Sequence, residues 1–201
     1  MIPQIIHRIW LGPAPMPAQF VTFGDRLAEL HPKWDIRLWT DDNLPELMNK
    51  KEFEASPHPS WAANILRYEL LLCEGGIYLD TDIEPLRPLD DLLDNAAFVA
   101  QDVPPHVCNA ALGATPGHPF FAGLVEGLSA RIAKYPHAPS PIVTGSGYLT
   151  EALLRFDKSA PLTILEPRAF FPVPFSRRDH LTETASFHNS FGVHHWAHSW
   201  S

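Results

Sequence analysis

The 201-residue chain carries 15 Lys+Arg against 23 Asp+Glu, a formal net charge of −8, with 45% hydrophobic and 19% charged residues. This composition excludes disorder as the main state, which requires low hydrophobicity, and a chain of this length buries roughly 70% of the surface it exposes when unfolded. No Lys/Arg run is longer than the pair Arg177-Arg178, so the basic face of a nucleic-acid binder is missing. An anionic ligand would have to be met locally, by a cation or a metal.

Cys73 and Cys108 are the only cysteines, which excludes a disulfide scaffold, and both are expected as reduced, buried thiols. The N-terminus, Met1 to Trp10, has no basic segment leading into a long apolar one and does not read as a signal peptide. No run reaches the roughly 18 apolar residues of a membrane span. Ala62 to Cys73 comes closest and is interrupted by Asn64, Arg67 and Glu69. The expectation is a soluble, cytoplasmic protein of one domain, residues 1–201, with a peripheral station at the inner face of a membrane left open.

In chain order, Ile5 to Trp10 reads as a first strand ending in Leu-Gly-Pro, Phe20 to Leu30 as a helix, and Trp34 to Trp39 as a second strand. Asp41 to Lys51 reads as loop and helix. Ser60, after Pro59, is a fair N-cap for a helix over Trp61 to Cys73 that Gly75-Gly76 stops. Ile77 to Leu79 is a short strand delivering Asp80. Ala97 to Gln101 and Asn109 to Ala114 are further strands, Pro119 to Tyr135 and Gly147 to Phe156 helices, and Leu162 to Leu165 and Phe191 to Trp196 late strands. The 21 prolines are scattered through the connections rather than gathered in a linker. Strands alternating with helices predict an α/β fold with a mostly parallel central sheet flanked by helices. Ligands of such sheets bind outside the carboxyl ends of the strands, where Asp80 falls.

The helix Trp61–Cys73 is apolar almost all round and is expected to be buried. Asn64 and Arg67 lie three apart on one stripe of it. A buried guanidinium must be paired, so Arg67 is either a structural ion pair with a nearby acid or part of a site. Gly75-Gly76-Ile77-Tyr78-Leu79-Asp80-Thr81-Asp82 shifts the balance toward a site. A buried strand ends in two carboxylates that can reach one site, and carboxylates without a nearby thiolate suit a hard cation, Mg²⁺ or Mn²⁺, with open positions for phosphate oxygens. A solvated turn is the plainer alternative. Trp10, at the end of the first strand, is either a core residue or a stacking surface in the crevice. In the closing segment, His195 and His198 are candidate metal ligands and Trp200 a candidate stacking residue. The alternatives there are a disordered tail or an adventitious zinc site.

Ile2-Pro3-x-Ile5-Ile6-His7-x-Ile9-Trp10-Leu11-Gly12, Leu66-Arg67-Tyr68-Glu69 through Asp80-Thr81-Asp82, and His195-Trp196-x-x-Ser199-Trp200 together resemble the sugar-binding DXD glycosyltransferases. These are the glycosyltransferase family 32 enzymes: the yeast initiating α-1,6-mannosyltransferase-like proteins, their galactosyl- and N-acetylglucosaminyltransferase counterparts and the bacterial capsular polysaccharide enzymes. The large clostridial glucosylating toxins are distant relatives. The resemblance implies a GT-A fold, a divalent metal, a nucleotide-sugar donor (UDP-sugar favoured over GDP-sugar), retention of anomeric configuration, and a glycan, lipid-linked or protein acceptor. By the same resemblance Trp10 stacks on the nucleotide base, Arg67 contacts the donor, Asp80 contacts ribose and sugar, and Asp82 binds metal. His195 and His198 fall at further metal-site positions, and Trp200 falls near the diphosphate. Asn64 stands where the family usually carries an Asp that contacts the donor sugar. That departure and the short chain motivate a second reading, a non-catalytic nucleotide-sugar-binding protein. A third, a haloacid-dehalogenase-like phosphohydrolase, shares the apolar strand and Asp-x-Asp but not the following Ile83-Glu84-Pro85.

Overall fold

The structure, a computed structural model, describes residues 1–157, 159–187 and 189–197. Six strands form a twisted sheet in the order β2-β1-β3-β6-β5-β7. They are β1 (Ile5–Ile9), β2 (Asp35–Trp39), β3 (Gly76–Leu79), β5 (Ala97–Gln101), β6 (Val107–Ala114) and β7 (Thr163–Leu165). All run the same way except β6, which opposes both β3 and β5. The expected mostly parallel α/β sheet is therefore present, with one reversed strand at its centre. A second, two-stranded sheet pairs β4 (Ile83–Pro85) with β8 (Gly192–His194). The late strand expected over Phe191 to Trp196 thus joins this small sheet, not the main one.

Helices α3 (Pro59–Cys73), α4 (Pro119–Lys134) and α6 (Ser146–Arg155) cover one face of the main sheet. Ile65, Leu66, Tyr68, Leu112, Phe121, Leu124 and Leu149 fill that core. The opposite face buries Ile6, Ile77, Leu79, Phe98 and Ala111 against Leu27 of α1 (Ala18–Leu30) and against Leu89, Leu92, Phe170 and Phe171 of the connections. Alternation along β3 divides its residues as strand geometry requires, with Tyr78 on the helix side and Ile77 and Leu79 on the other. Short helices α2 (Lys50–Glu54) and α5 (Ser140–Val143) flank α3.

α3 begins one residue before the expected cap. His58 is the N-cap and Pro59 opens the first turn, where its fixed φ suits the helix and its missing N–H costs nothing. Residues Trp61 to Leu71 are all buried, so the expectation of a buried helix holds. Its end does not stay inside: Cys73 is exposed and only Cys108 is a buried thiol. Gly75 and Gly76 then take φ of +68° and +95°. A Cβ on Gly75 would sit 2.7 Å from the Ala114 carbonyl, and one on Gly76 would sit 2.8 Å from the Ile5 carbonyl. Only glycine fits this turn, which carries the chain from α3 directly into β3.

Candidate active site

β3 ends at Asp80, whose backbone N–H still donates to the Ala110 carbonyl of β6 at 2.8 Å. The chain then turns tightly, Ile83 N–H returning to the Asp80 carbonyl at 3.1 Å, and enters β4. Because β4 pairs with β8 in the register Ile83↔His194, the C-terminal strand lies alongside the Asp80-Thr81-Asp82 turn. One carboxylate oxygen of Asp82 is 3.1 Å from His194 Nε2, and the other accepts the Ala197 backbone N–H at 2.9 Å. His195 N–H donates to the Asp82 carbonyl at 3.0 Å. Trp196 makes the bend that aims Ala197 at Asp82. It takes a left-handed φ of +54°, a conformation costing a bulky residue about 1–3 kcal/mol. The bend is held by Trp196 Nε1 donating to Val173 O at 2.9 Å and by ring packing on Phe171, Phe175 and His194.

Asp80 is fixed from the helix side. Arg67 Nη1 donates to Asp80 Oδ1 at 2.9 Å and to the Asn109 carbonyl at 2.6 Å, and the guanidinium lies 4.3 Å from the Tyr78 ring centroid. The Tyr78 hydroxyl donates to the same Asp80 oxygen at 2.5 Å. Both alternatives open for Arg67 meet here, because the acid that pairs it structurally is the first aspartate of the motif. Burial works against the Arg67 charge, yet Asp80, together with Tyr78, Tyr68 and Cys108, keeps the guanidinium more basic than usual. Burial would raise the Asp82 carboxyl, but His194 and the Ala197 N–H hold it below its ordinary value. In the same way burial opposes the His194 imidazolium, while Asp82 and then Asp80 raise it above its ordinary value.

Asp80, Asp82 and His194 each offer a ligand atom, all within 4.8 Å of one another. His194 Nδ1 is buried without a hydrogen-bond partner. Two carboxylates and an imidazole whose Nε2 faces both of them, at the end of a buried strand, are a donor set that fits a divalent cation.

The remaining candidates are placed as follows. Asn64 is buried; its amide donates to Ser140 Oγ at 3.1 Å and Thr144 Oγ1 at 3.0 Å, and its carbonyl accepts from Asn109 Nδ2 at 2.8 Å. Asn109 thus links Asn64 to Arg67. Trp10 is buried at the end of β1, its Nε1 donating to Ala14 O at 2.7 Å and its ring meeting Phe20 edge-on. The His195 ring is brought not to the aspartate carboxylates but to Glu84, 2.8 Å away, and lies against Phe23. The histidine at the aspartates is His194. His198 and Trp200 lie outside the described residues. A groove of about 630 Å³ between α4 and α6, lined by Leu124, Arg131, Tyr148 and Glu151 among others, includes none of the candidate site residues.

Sequence reasoning missed His194, Tyr78 and Asn109. For His194 a signal existed: Val193 and His195 share one strand face and His194 takes the other, but nothing local says which face meets Asp82.

A family model described as the glycosyltransferase sugar-binding region containing the DXD motif matches residues 17–99. The chain is 33% identical to inositol phosphoceramide mannosyltransferase 3 of Schizosaccharomyces pombe over 144 residues, covering 69% of this chain and 40% of that protein. It is 29% identical to the mannosyl phosphorylinositol ceramide synthase SUR1 of Saccharomyces cerevisiae over 202 residues, 94% of this chain and 52% of that one. Over residues 17–99 the chain carries the DXD-containing sugar-binding region of glycosyltransferases. It spans about half the length of the curated relatives it matches. Among solved structures, the PaToxG glycosyltransferase superimposes with a TM-score of 0.62 at 16% identity, over 77% of this chain and 69% of that one. The galactosyltransferase LgtC, in complex with donor and acceptor sugar analogs, gives 0.55 at 11% identity, over 98% and 88%. These likenesses show the GT-A fold, and in this chain the Asp-x-Asp motif is Asp80-Thr81-Asp82.

Proposed function

We propose that this chain binds a nucleotide-sugar together with a divalent cation, Mn²⁺ favoured over Mg²⁺, and transfers a hexose with retention of configuration. The observation that carries the reading is the convergence of Asp80, Asp82 and His194 within 4.8 Å at the end of β3, backed by the Arg67 guanidinium 2.9 Å from Asp80. A bound cation would neutralise the charge that develops on the leaving diphosphate. Asp82 and His194 would hold it, with Asp80 shared between the cation and Arg67. The imidazole favours Mn²⁺ over the harder Mg²⁺.

The chain's own residues supply the rest. Arg67 and Tyr78 fix the Asp80 rotamer before any ligand arrives, so no reorganisation is needed at the moment of reaction. Trp10, at the carboxyl end of β1, offers an indole for the base. Asn64, whose amide is held by Ser140, Thr144 and Asn109, would shape the wall of the pocket on the sugar side. One relative is named an inositol phosphoceramide mannosyltransferase and another a mannosyl phosphorylinositol ceramide synthase. Mannose and a lipid-linked acceptor are accordingly the first sugar and acceptor to assay.

The test is a thermal-shift series with UDP- and GDP-sugars, each with Mn²⁺ and with a chelator, followed by hydrolysis and by transfer to inositol phosphoceramide in mixed micelles. Stabilisation is expected with Mn²⁺, is lost with chelator, and is absent in Asp82→Asn. Equal stabilisation with and without metal in the wild type would sink the reading. Donor binding without hydrolysis or transfer would favour the non-catalytic alternative.

A further inference from the structure

Arg8 is 4% exposed, lies on β1 and faces α1. Its Nη2 donates to two backbone carbonyls, Phe20 O at 2.7 Å and Thr81 O at 2.9 Å. Among the described residues no carboxylate lies within ion-pair distance of it, and its Nε is buried without a partner. Burial pulls its pKa down to about 10, against the opposing influence of Tyr78, Asp25 and Asp82, so it remains a cation at neutral pH. A buried, unpaired guanidinium is a costly way to fill space, and an apolar side chain of similar volume would serve the core better.

The two carbonyls explain where it acts. Thr81 is the residue between the two aspartates. Phe20 is in the first turn of α1, and its ring packs against both Trp10 and Phe23. One guanidinium therefore ties the Asp80-Thr81-Asp82 turn to the segment that supports Trp10. A second, independent observation fits. Gly24 sits mid-helix in α1, where glycine costs about 1 kcal/mol relative to alanine. A Cβ there would stand 2.3 Å from Arg8 Nη1. The helix leaves out a side chain where the guanidinium passes.

We propose that Arg8 is a positioning residue for the donor site. By holding the Thr81 carbonyl it sets the relative placement of Asp80 and Asp82, and by holding the Phe20 carbonyl it locks the metal-side turn to the base-side tryptophan. The inference rests on the reading of Asp80, Asp82 and His194 as a cation site.

Mn²⁺ alone is the probe, titrated calorimetrically and by the electron paramagnetic resonance of the bound ion, with thermal melts run in parallel. Wild type and Asp82→Asn first establish the site: a wild type that binds no Mn²⁺ overturns the cation-site reading and this inference with it. Given a wild type that binds, Arg8→Met is expected to weaken Mn²⁺ at least tenfold, and Arg8→Lys to recover part of the loss. Gly24→Ala keeps every polar group yet displaces the guanidinium. It is expected to weaken Mn²⁺ and change the resonance line shape while still melting cooperatively. Mn²⁺ affinity within twofold of wild type in folded Arg8→Met and Gly24→Ala would overturn the inference while leaving the cation site standing. Loss of cooperative melting in both variants would also overturn it, making Arg8 a scaffold residue.

Discussion

The Arg67–Asp80 pair carries a quantitative expectation that separates its two jobs. The Arg67 side chain is 4% exposed and that of Asp80 23%. Arg67→Met removes a cation from between two acceptors, Asp80 Oδ1 and the Asn109 carbonyl. Removing one partner of a fully buried pair costs about 3–5 kcal/mol, and water reaching the partly exposed Asp80 lowers that to about 2–4 kcal/mol. At roughly 2–4 °C per kcal/mol for a chain of this size, the melting midpoint should fall by about 5–15 °C. Asp80→Asn leaves the converse defect, a buried guanidinium without its counter-charge. The double variant Arg67→Met/Asp80→Asn should then cost about 1–3 kcal/mol less than the sum of the singles. Urea unfolding of all four proteins without ligand measures this, and Mn²⁺-dependent nucleotide binding measures the functional half. Stability effects additive to within about 0.5 kcal/mol would refute the reasoning, because the two side chains would then not be coupled in the free protein.

Asn64→Asp introduces, at a buried position, the acid that the resemblance implies. Asn109 Nδ2 still donates, and the Ser140 and Thr144 hydroxyls can reverse to donate to it, so the cost is that of a buried charge near Arg67, about 1–3 kcal/mol. Donor hydrolysis profiles should shift between sugars, and an unchanged profile would remove Asn64 from the sugar pocket. His7 is buried with Nδ1 accepting from Trp39 Nε1 at 3.1 Å and Nε2 donating to Gly75 O at 2.9 Å, an arrangement that requires the neutral ring. Burial lowers its pKa from 6.5. A lowered histidine pKa contributes stability fully above the unfolded value, and that contribution is lost as pH falls through the folded one. The stability difference between wild type and His7→Gln should therefore shrink below pH 6.5, by at most about 1.4 kcal/mol per pH unit, and should be flat from pH 7 to 8. Taking the difference removes His194, whose raised pKa works in the opposite direction.

The parts of the site legible in the sequence are those joined by local chain. From Trp61 to Asp82 the signals are all short-range: a helix apolar almost all round, two glycines that only a left-handed turn requires, an alternating strand, then two carboxylates where the strand must end. Each narrows the next, so the placement of Arg67 over Asp80 follows within about one helix and one strand. Where contacts are long-range, the reading loses a dimension. His194 meets Asp82 because Ile83 pairs with a strand 111 positions later, and β8 has only three residues. A one-residue slip of so short a strand exchanges the faces of His194 and His195, and the closing motif alone contains nothing to fix that slip. What fixes it is tertiary. Gly192 lies where a Cβ would stand 2.8 Å from the Ile83 side chain, Trp196 anchors the following bend on Val173, and Glu84 draws His195 to the opposite side. Asn109 was invisible for a related reason. It serves through its side chain to Asn64 and its carbonyl to Arg67, from a strand whose reversed direction no local pattern announces. The reversal of β6 beside β3 also lets a backbone carbonyl face Arg67 at the sheet's ligand-binding end. The residue that completes the guanidinium's hydrogen bonds is thus selected by topology, and its identity as asparagine then extends the network to the Asn64 amide.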